Sequence, residues 1–140
     1  NTAITELSKL FENKEIKKIY FAITIGKMTS KGTINSTIDE KDALTEFEVI
    51  ASITSERFSF LNLVKLQPKT GRKHQIRKHL FEIGNPILGD KKYFLEHKIL
   101  NGKGLFLHAA SLEFIHPFTK AIISKSKELP KKFTKIFSEF

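Results

Sequence analysis

The chain of 140 residues contains no cysteine, which excludes a disulfide framework, a thiolate zinc site and a cysteine nucleophile. No apolar run approaches the ~18 residues that a membrane-spanning helix requires, and no charged-then-apolar signal segment opens the chain. A cytoplasmic location with no membrane partner follows as the default expectation. Gly-x-Ser-x-Gly elbows and Gly-rich phosphate loops are missing, since Gly84 and Gly89 stand too far apart to form one. Aspartate is scarce: Asp39, Asp42 and Asp90 are the whole supply. The five histidines do not make a metal site. His74 and His79 lie about 140° apart around a helix axis, so they cannot grip one ion as an i, i+4 pair would. His108 and His116 lack carboxylate companions in a ligand-like pattern. A metal site is not expected.

What the chain does have is positive charge, unevenly placed. The formal net charge is +9. Residues 1–56 carry seven Lys or Arg against nine Asp or Glu, whereas residues 57–140 carry seventeen against six. A basic half on a mildly acidic chain is the footprint expected of a nucleic-acid face, although membranes and heparin-like polymers attract such surfaces too. With 40% hydrophobic residues, the length suits one compact unit.

The chain is organised around Leu66–Asp90. Pro68 and Gly71 bracket a tight turn that feeds a helix predicted over about Lys73–Ile83. Ile76, Leu80 and Ile83 form its core-facing stripe, and Arg77 shares the neighbouring face with His74 and Phe81. Gly84 suits the position after the helix, Pro86 prevents continuation, and Gly89-Asp90 makes a further turn, which Asp90 serves. Between Arg57 and Phe81 there are seven Lys or Arg and no acid, so the segment is expected to project positive potential with nothing nearby to neutralise it. Lys65, Lys69, Lys73 and Lys78 can equally be a solvated face. Arg72 and Arg77 are the better functional candidates, because a guanidinium grips phosphate or carboxylate in bidentate fashion.

The run Thr-Gly-Arg-Lys-His-Gln-Ile-Arg-Lys-His, followed by Ile-Gly-Asn-Pro-Ile-Leu-Gly-Asp-Lys-Lys-Tyr, resembles a signature motif of the RluA-like family of RNA pseudouridine synthases. Lys18-Ile-Tyr-Phe-Ala22 and Lys41–Val49 upstream, and Leu107–Pro117 downstream, resemble further family segments in order. The resemblance implies an isomerase that converts uridine to pseudouridine in structured RNA, ribosomal or transfer, without cofactor or metal. It implies that Arg77 pairs with the catalytic aspartate, that Tyr20 lies against the target base, and that Leu112 is an apolar wall for the uracil. On the residues alone, Tyr20 reads as a half-buried strand tyrosine and Leu112 as core. Arg72, Lys73 and His74, with Lys69 and Lys78, are the expected contacts to the RNA backbone. One element of the family pattern is missing: no His-Arg-Leu-Asp type motif precedes Tyr20. Residues 1–140 are therefore read as the C-terminal portion of a single catalytic domain, inactive alone. A non-catalytic RNA-binding protein of the same fold is the alternative. A sheet edge left open in such a piece predicts self-association.

The fold expected is α+β, a mixed, largely antiparallel sheet with flanking helices. Ile4, Leu7, Leu10 and Phe11 mark a first short helix, and Ile19–Ile25 is too apolar on both faces for a surface strand, so it should be central. Residues 27–42 read as a long loop or a weak hairpin carrying Ile34 and Ile38. Strands are expected at Ala43–Ile53 and Phe58–Gln67, paired antiparallel through a turn at Ser55-Glu56-Arg57. Residues 91–104 should be a loop with a short helical turn. Leu105–Ala109 and Leu112–Ile115 read as one interrupted strand with Lys120–Ser126 as its hairpin partner, His116 satisfying the turn between them. Pro130 opens a last helix carrying Phe133, Ile136, Phe137 and Phe140.

Overall fold

The computed structural model describes residues 16–95, 100, 102–116 and 118–137. The first predicted helix and Phe140 lie outside them. Among the described residues six strands form a single sheet: β1 (Lys17–Ile25), β2 (Lys31–Ile34), β3 (Thr45–Ser55), β4 (Ser59–Pro68), β5 (Leu107–Ile115) and β6 (Ile122–Ser126). Their order is β2-β3-β4-β1-β5-β6, and every pairing is antiparallel. The α+β expectation holds. β1 is central, as its two apolar faces require: Ala22 and Ile23, neighbours that point to opposite faces, are both fully buried.

The helices α1 (Gln75–Glu82) and α2 (Lys131–Thr134) pack on opposite faces of the sheet. Tyr20, Leu66 and Phe47 form one cross-strand row, and Thr45, two residues from Phe47, shares their face. Thr45 bonds both Gln75 and His79, so α1 lies on that face. His108 pairs with Phe21, the neighbour of Tyr20, and so points the other way. Its ring centroid lies 6.3 Å from that of Phe133 in α2. Leu80 and Phe133, both at 0% exposure, anchor the two helices. Burial of such a side chain contributes about 1.5–3 kcal/mol.

α1 departs from its expected limits for local reasons. It begins two residues late because His74 adopts a left-handed conformation, φ 54°. It ends in a Schellman motif: Asn85 N–H donates to Leu80 O and Gly84 N–H to Phe81 O, with Gly84 at φ +87°. Ile83 is thereby turned outward and is 42% exposed rather than buried. His79, fully buried, takes its place in the stripe.

Three other readings change. Residues 27–42 do contain a strand, the edge strand β2, and Ile34 and Ile38 are both buried. The described part of residues 91–104 holds no helical turn, only bends. Asn62, a polar position of the β4 alternation, is 2% exposed. Its amide donates to Gly26 O at 2.6 Å and Thr24 Oγ1 at 3.1 Å, and accepts from Ser52 Oγ at 2.7 Å. Those bonds satisfy the buried group.

Candidate active site

The loop before α1 is held chiefly through one side chain. Gln75 Oε1 accepts from Thr70 Oγ1 at 2.6 Å and from Arg72 N–H at 3.0 Å, while Nε2 donates to Leu44 O and Thr45 Oγ1, each at 2.9 Å. All its hydrogen-bonding capacity goes into joining the loop to β3. On the next turn, His79 Nε2 faces Ser36 O at 2.9 Å and must carry the ring hydrogen, so Nδ1 accepts from the Thr45 hydroxyl at 2.8 Å. These contacts fix Arg72, Lys73 and His74 at one end of the sheet. Sequence reasoning passed over Gln75 and Thr45 and weighed His79 only as a metal ligand; a Gln and a His beside buried Ile76 and Leu80 were the available signal.

The chain after α1 is fastened to β1. Ile25 N–H donates to Pro86 O at 3.0 Å and Leu88 N–H to Ile23 O at 2.8 Å. Asn85 Nδ2 donates to Ile25 O and Lys27 O. Gly89 (φ +84°) then turns the chain so close to residue 104 that a Cβ here would lie 1.9 Å from Gly104 O. Asp90 follows, with its side chain fully buried.

Arg77 meets Asp90 in a fork, Nε to Oδ2 at 2.9 Å and Nη2 to Oδ1 at 2.9 Å. Oδ1 also accepts from the N–H groups of Lys92 and Tyr93, both at 3.0 Å. Burial pushes the Asp90 carboxyl up, but the Arg77 fork and these two bonds outweigh it and hold the group below its ordinary value. The same fork raises the Arg77 pKa against burial. Asp90 therefore serves its own turn, as expected, and is also the carboxylate partner of Arg77. That pairing was missed, although a half-buried arginine in an acid-free stretch needs a partner from elsewhere.

Tyr93 collects the outer face of α1. Its ring centroid lies 5.2 Å from Arg77 Cζ, 5.8 Å from the His74 ring and 6.4 Å from the Phe81 ring. His74 Nδ1 and the Tyr93 hydroxyl are 3.1 Å apart. Desolvation, then the charges of Arg77, Lys92, Lys73 and Lys78, lower the His74 pKa, so the imidazole offers hydrogen bonds rather than charge at neutral pH.

The cationic stretch is not without neutralising acids once folded. Lys69 pairs with Glu46 at 3.6 Å and Lys78 with Asp39 at 3.4 Å. Both are surface pairs, worth little and screened by salt. Arg72 Nε donates to Asp42 O at 2.7 Å. An open groove of about 510 Å³ across β2, β3 and β4, lined by residues such as Lys31, Glu46, Phe47 and Lys65, contains none of the candidate catalytic residues.

Tyr20 and Leu112 are brought together by an irregularity. Tyr20 pairs with Ala109 and Ile19 with Ser111, leaving Ala110 as an extra residue of β5. Beyond this bulge Leu112 pairs with Lys18, which is two residues from Tyr20. Leu112 therefore shares the face of Tyr20 and α1; unbroken alternation from Ala109 would place it on the other. Both side chains are half-buried. Burial raises the Tyr20 pKa, and its hydroxyl makes no hydrogen bond to a described residue. Among the described residues no group of three or more His, Asp or Glu could hold a metal ion, and no helix is long and apolar enough to cross a membrane.

Residues 1–82 match the family model described as RNA pseudouridylate synthase. The chain is 39% identical to the uncharacterized RNA pseudouridine synthase YhcT of Bacillus subtilis, over 89% of this chain and 44% of that protein. It is 35% identical to the ribosomal large subunit pseudouridine synthase D of Buchnera aphidicola (90% and 47%) and 27% identical to the tRNA pseudouridine synthase C of Vibrio vulnificus (97% and 67%). The chain thus spans about half the length of the Bacillus and Buchnera relatives. Among solved structures, human RNA pseudouridylate synthase domain containing 1 superimposes with a TM-score of 0.73 at 25% identity, over 91% of this chain and 61% of that one.

Proposed function

Because the chain belongs to the RNA pseudouridylate synthase family, we propose that it is the C-terminal portion of a catalytic domain that isomerises uridine to pseudouridine in structured RNA. The observation that carries this reading is the gathering of Tyr20, Leu112 and the Arg77 helix on one face of the sheet. The similarity to enzymes named for tRNA and for ribosomal RNA supports a structured RNA substrate.

In this reading the target uridine leaves its stack and enters the face beside β1 and β5. An aspartate supplied upstream of residue 1 engages the nucleoside, the glycosidic bond breaks, and the uracil turns and rejoins through C5. Arg77 holds that aspartate ionised and oriented through the nitrogen that Asp90 leaves free. The Tyr20 ring lies against the base, with its hydroxyl, unbonded within the described chain, placed to handle the C5 proton. Leu112 forms the apolar wall. Arg72 and Lys73, with weaker contributions from Lys69 and Lys78, hold the flanking phosphates; His74 adds a hydrogen-bonding edge.

The test is tritium release from C5-labelled uridine RNA, comparing this chain with a form extended upstream. Release only by the extended form supports the assignment. Release by the chain alone would place the reacting carboxylate within these residues and overturn it; tight RNA binding with no release from either form would favour the non-catalytic reading.

A further inference from the structure

The Arg77–Asp90 fork is more constrained than a turn requires. A turn of this kind needs one side-chain oxygen to accept the N–H groups of Lys92 and Tyr93, which Asn would also provide. Only a carboxylate offers, in addition, two acceptors to one guanidinium. Asp90 is itself held: its N–H donates to Ile87 O at 3.1 Å, and Leu88, two residues before it, is bonded to Ile23 of β1. A continuous line of restraint therefore runs from the central strand through Leu88 and Asp90 to the Arg77 side chain. With Nε and Nη2 committed to Asp90 and the guanidinium against the Tyr93 ring, Nη1 alone has no hydrogen bond to a described residue.

We propose that Asp90, assisted by Tyr93, is a positioning residue that fixes the Arg77 guanidinium so that Nη1 meets the reacting carboxylate in one orientation. Its own carboxylate is fully buried and takes no part in the chemistry. The proposal rests on the pseudouridine synthase reading, within which it assigns the source of Arg77 orientation. Arginine carries substantial rotamer freedom, and a guanidinium fixed in advance loses less of it on meeting its partner.

The test uses the full-length protein and single-turnover tritium release, with RNA affinity measured alongside. Asp90→Asn keeps an acceptor for the turn but replaces the second acceptor with a donor facing Arg77. The expected result is a rate lower by on the order of a hundredfold, with RNA Kd within about twofold of wild type. In an Arg77→Lys background, where no fork can form, adding Asp90→Asn should change the rate by less than about twofold. If Asp90→Asn does not fold, Asp90→Glu carries the same comparison, because it keeps the charge and shifts the carboxylate by one methylene. A wild-type rate in the single variant, or an equal loss in both backgrounds, overturns the positioning role. If the wild-type protein itself releases no tritium, the pseudouridine synthase reading fails and the proposal falls with it.

Discussion

The hydroxyl of Thr45 donates to Nδ1 of His79 across 2.8 Å, joining strand β3 to helix α1 inside the core. The same oxygen accepts from Gln75, so one threonine closes a circuit that includes the loop carrying Arg72. Thr45→Val keeps the shape and removes both bonds. Stability should fall by about 1–3 kcal/mol, because buried donors and acceptors on His79 and Gln75 are left unmet. A urea midpoint unchanged at constant slope would contradict this.

Arg77 and Arg72 should separate turnover from affinity. In the full-length protein, Arg77→Ala should lower the rate of tritium release by on the order of a thousandfold with little loss of RNA binding. Arg72→Ala should weaken binding and reduce the slope of log K against log salt by about 1. Filter binding at several salt concentrations, beside the rate assay, decides the matter. Equal effects of the two changes on both quantities would undo the division.

Gly89 tolerates no side chain. Its φ is +84° and the missing Cβ would lie 1.9 Å from a backbone oxygen, which cannot swing aside as a side chain could. Gly89→Ala should cost more than about 2 kcal/mol and dislodge Asp90 from Arg77. Gly84→Ala meets nothing within 4 Å, so it incurs only the conformational strain of its φ of +87°. Thermal melts of the two variants should rank in that order.

Acid should weaken the fork. The Asp90 pKa is lowered in the folded protein, so its stabilising contribution is fully present above the unfolded value, about 3.9. It is lost as pH falls through the folded value. The stability gap between wild type and Asp90→Asn should be flat through neutral pH and close below that point. A gap that persists to the lowest pH at which both still fold would show that charge is not what Asp90 contributes.

Removing the Tyr20 hydroxyl should leave the fold intact, since it has no bond to a described residue. Tyr20→Phe is expected to change stability by less than about 0.5 kcal/mol. Turnover in the full-length protein should nevertheless fall if that hydroxyl handles the C5 proton. Wild-type turnover would reduce Tyr20 to a stacking surface.

Most of the sheet was legible because β-branched and aromatic runs such as Ile19–Ile25, bounded by glycine or polar turns, have one reading. The signature helix was legible too, through Pro68, Gly71 and Gly84. What escaped was set by contacts between distant residues. Ile83 had the right spacing for the core, yet the Schellman motif turned it out. β2 has too short a run to announce itself and exists because β3 offers it an edge. Asp90 looked like a turn residue because nothing local records that Arg77, on the preceding helix, comes within 2.9 Å of it. The sharing of a face by Tyr20 and Leu112 was likewise hidden in one unpaired alanine.

That alanine makes the site a matter of counting as much as of chemistry. Inserting one residue between Ala110 and Ser111, with the bulge kept, would exchange what the outer half of β5 shows to each side of the sheet: Leu112 would turn away from Tyr20 and Glu113 would take its side, whereas deleting Ala110 would close the bulge and leave Leu112 opposite Lys18. Substitutions at Ala110 that keep a small side chain should be tolerated, and so should its deletion, whereas a single insertion between Ala110 and Ser111 should be as damaging as losing a site residue outright.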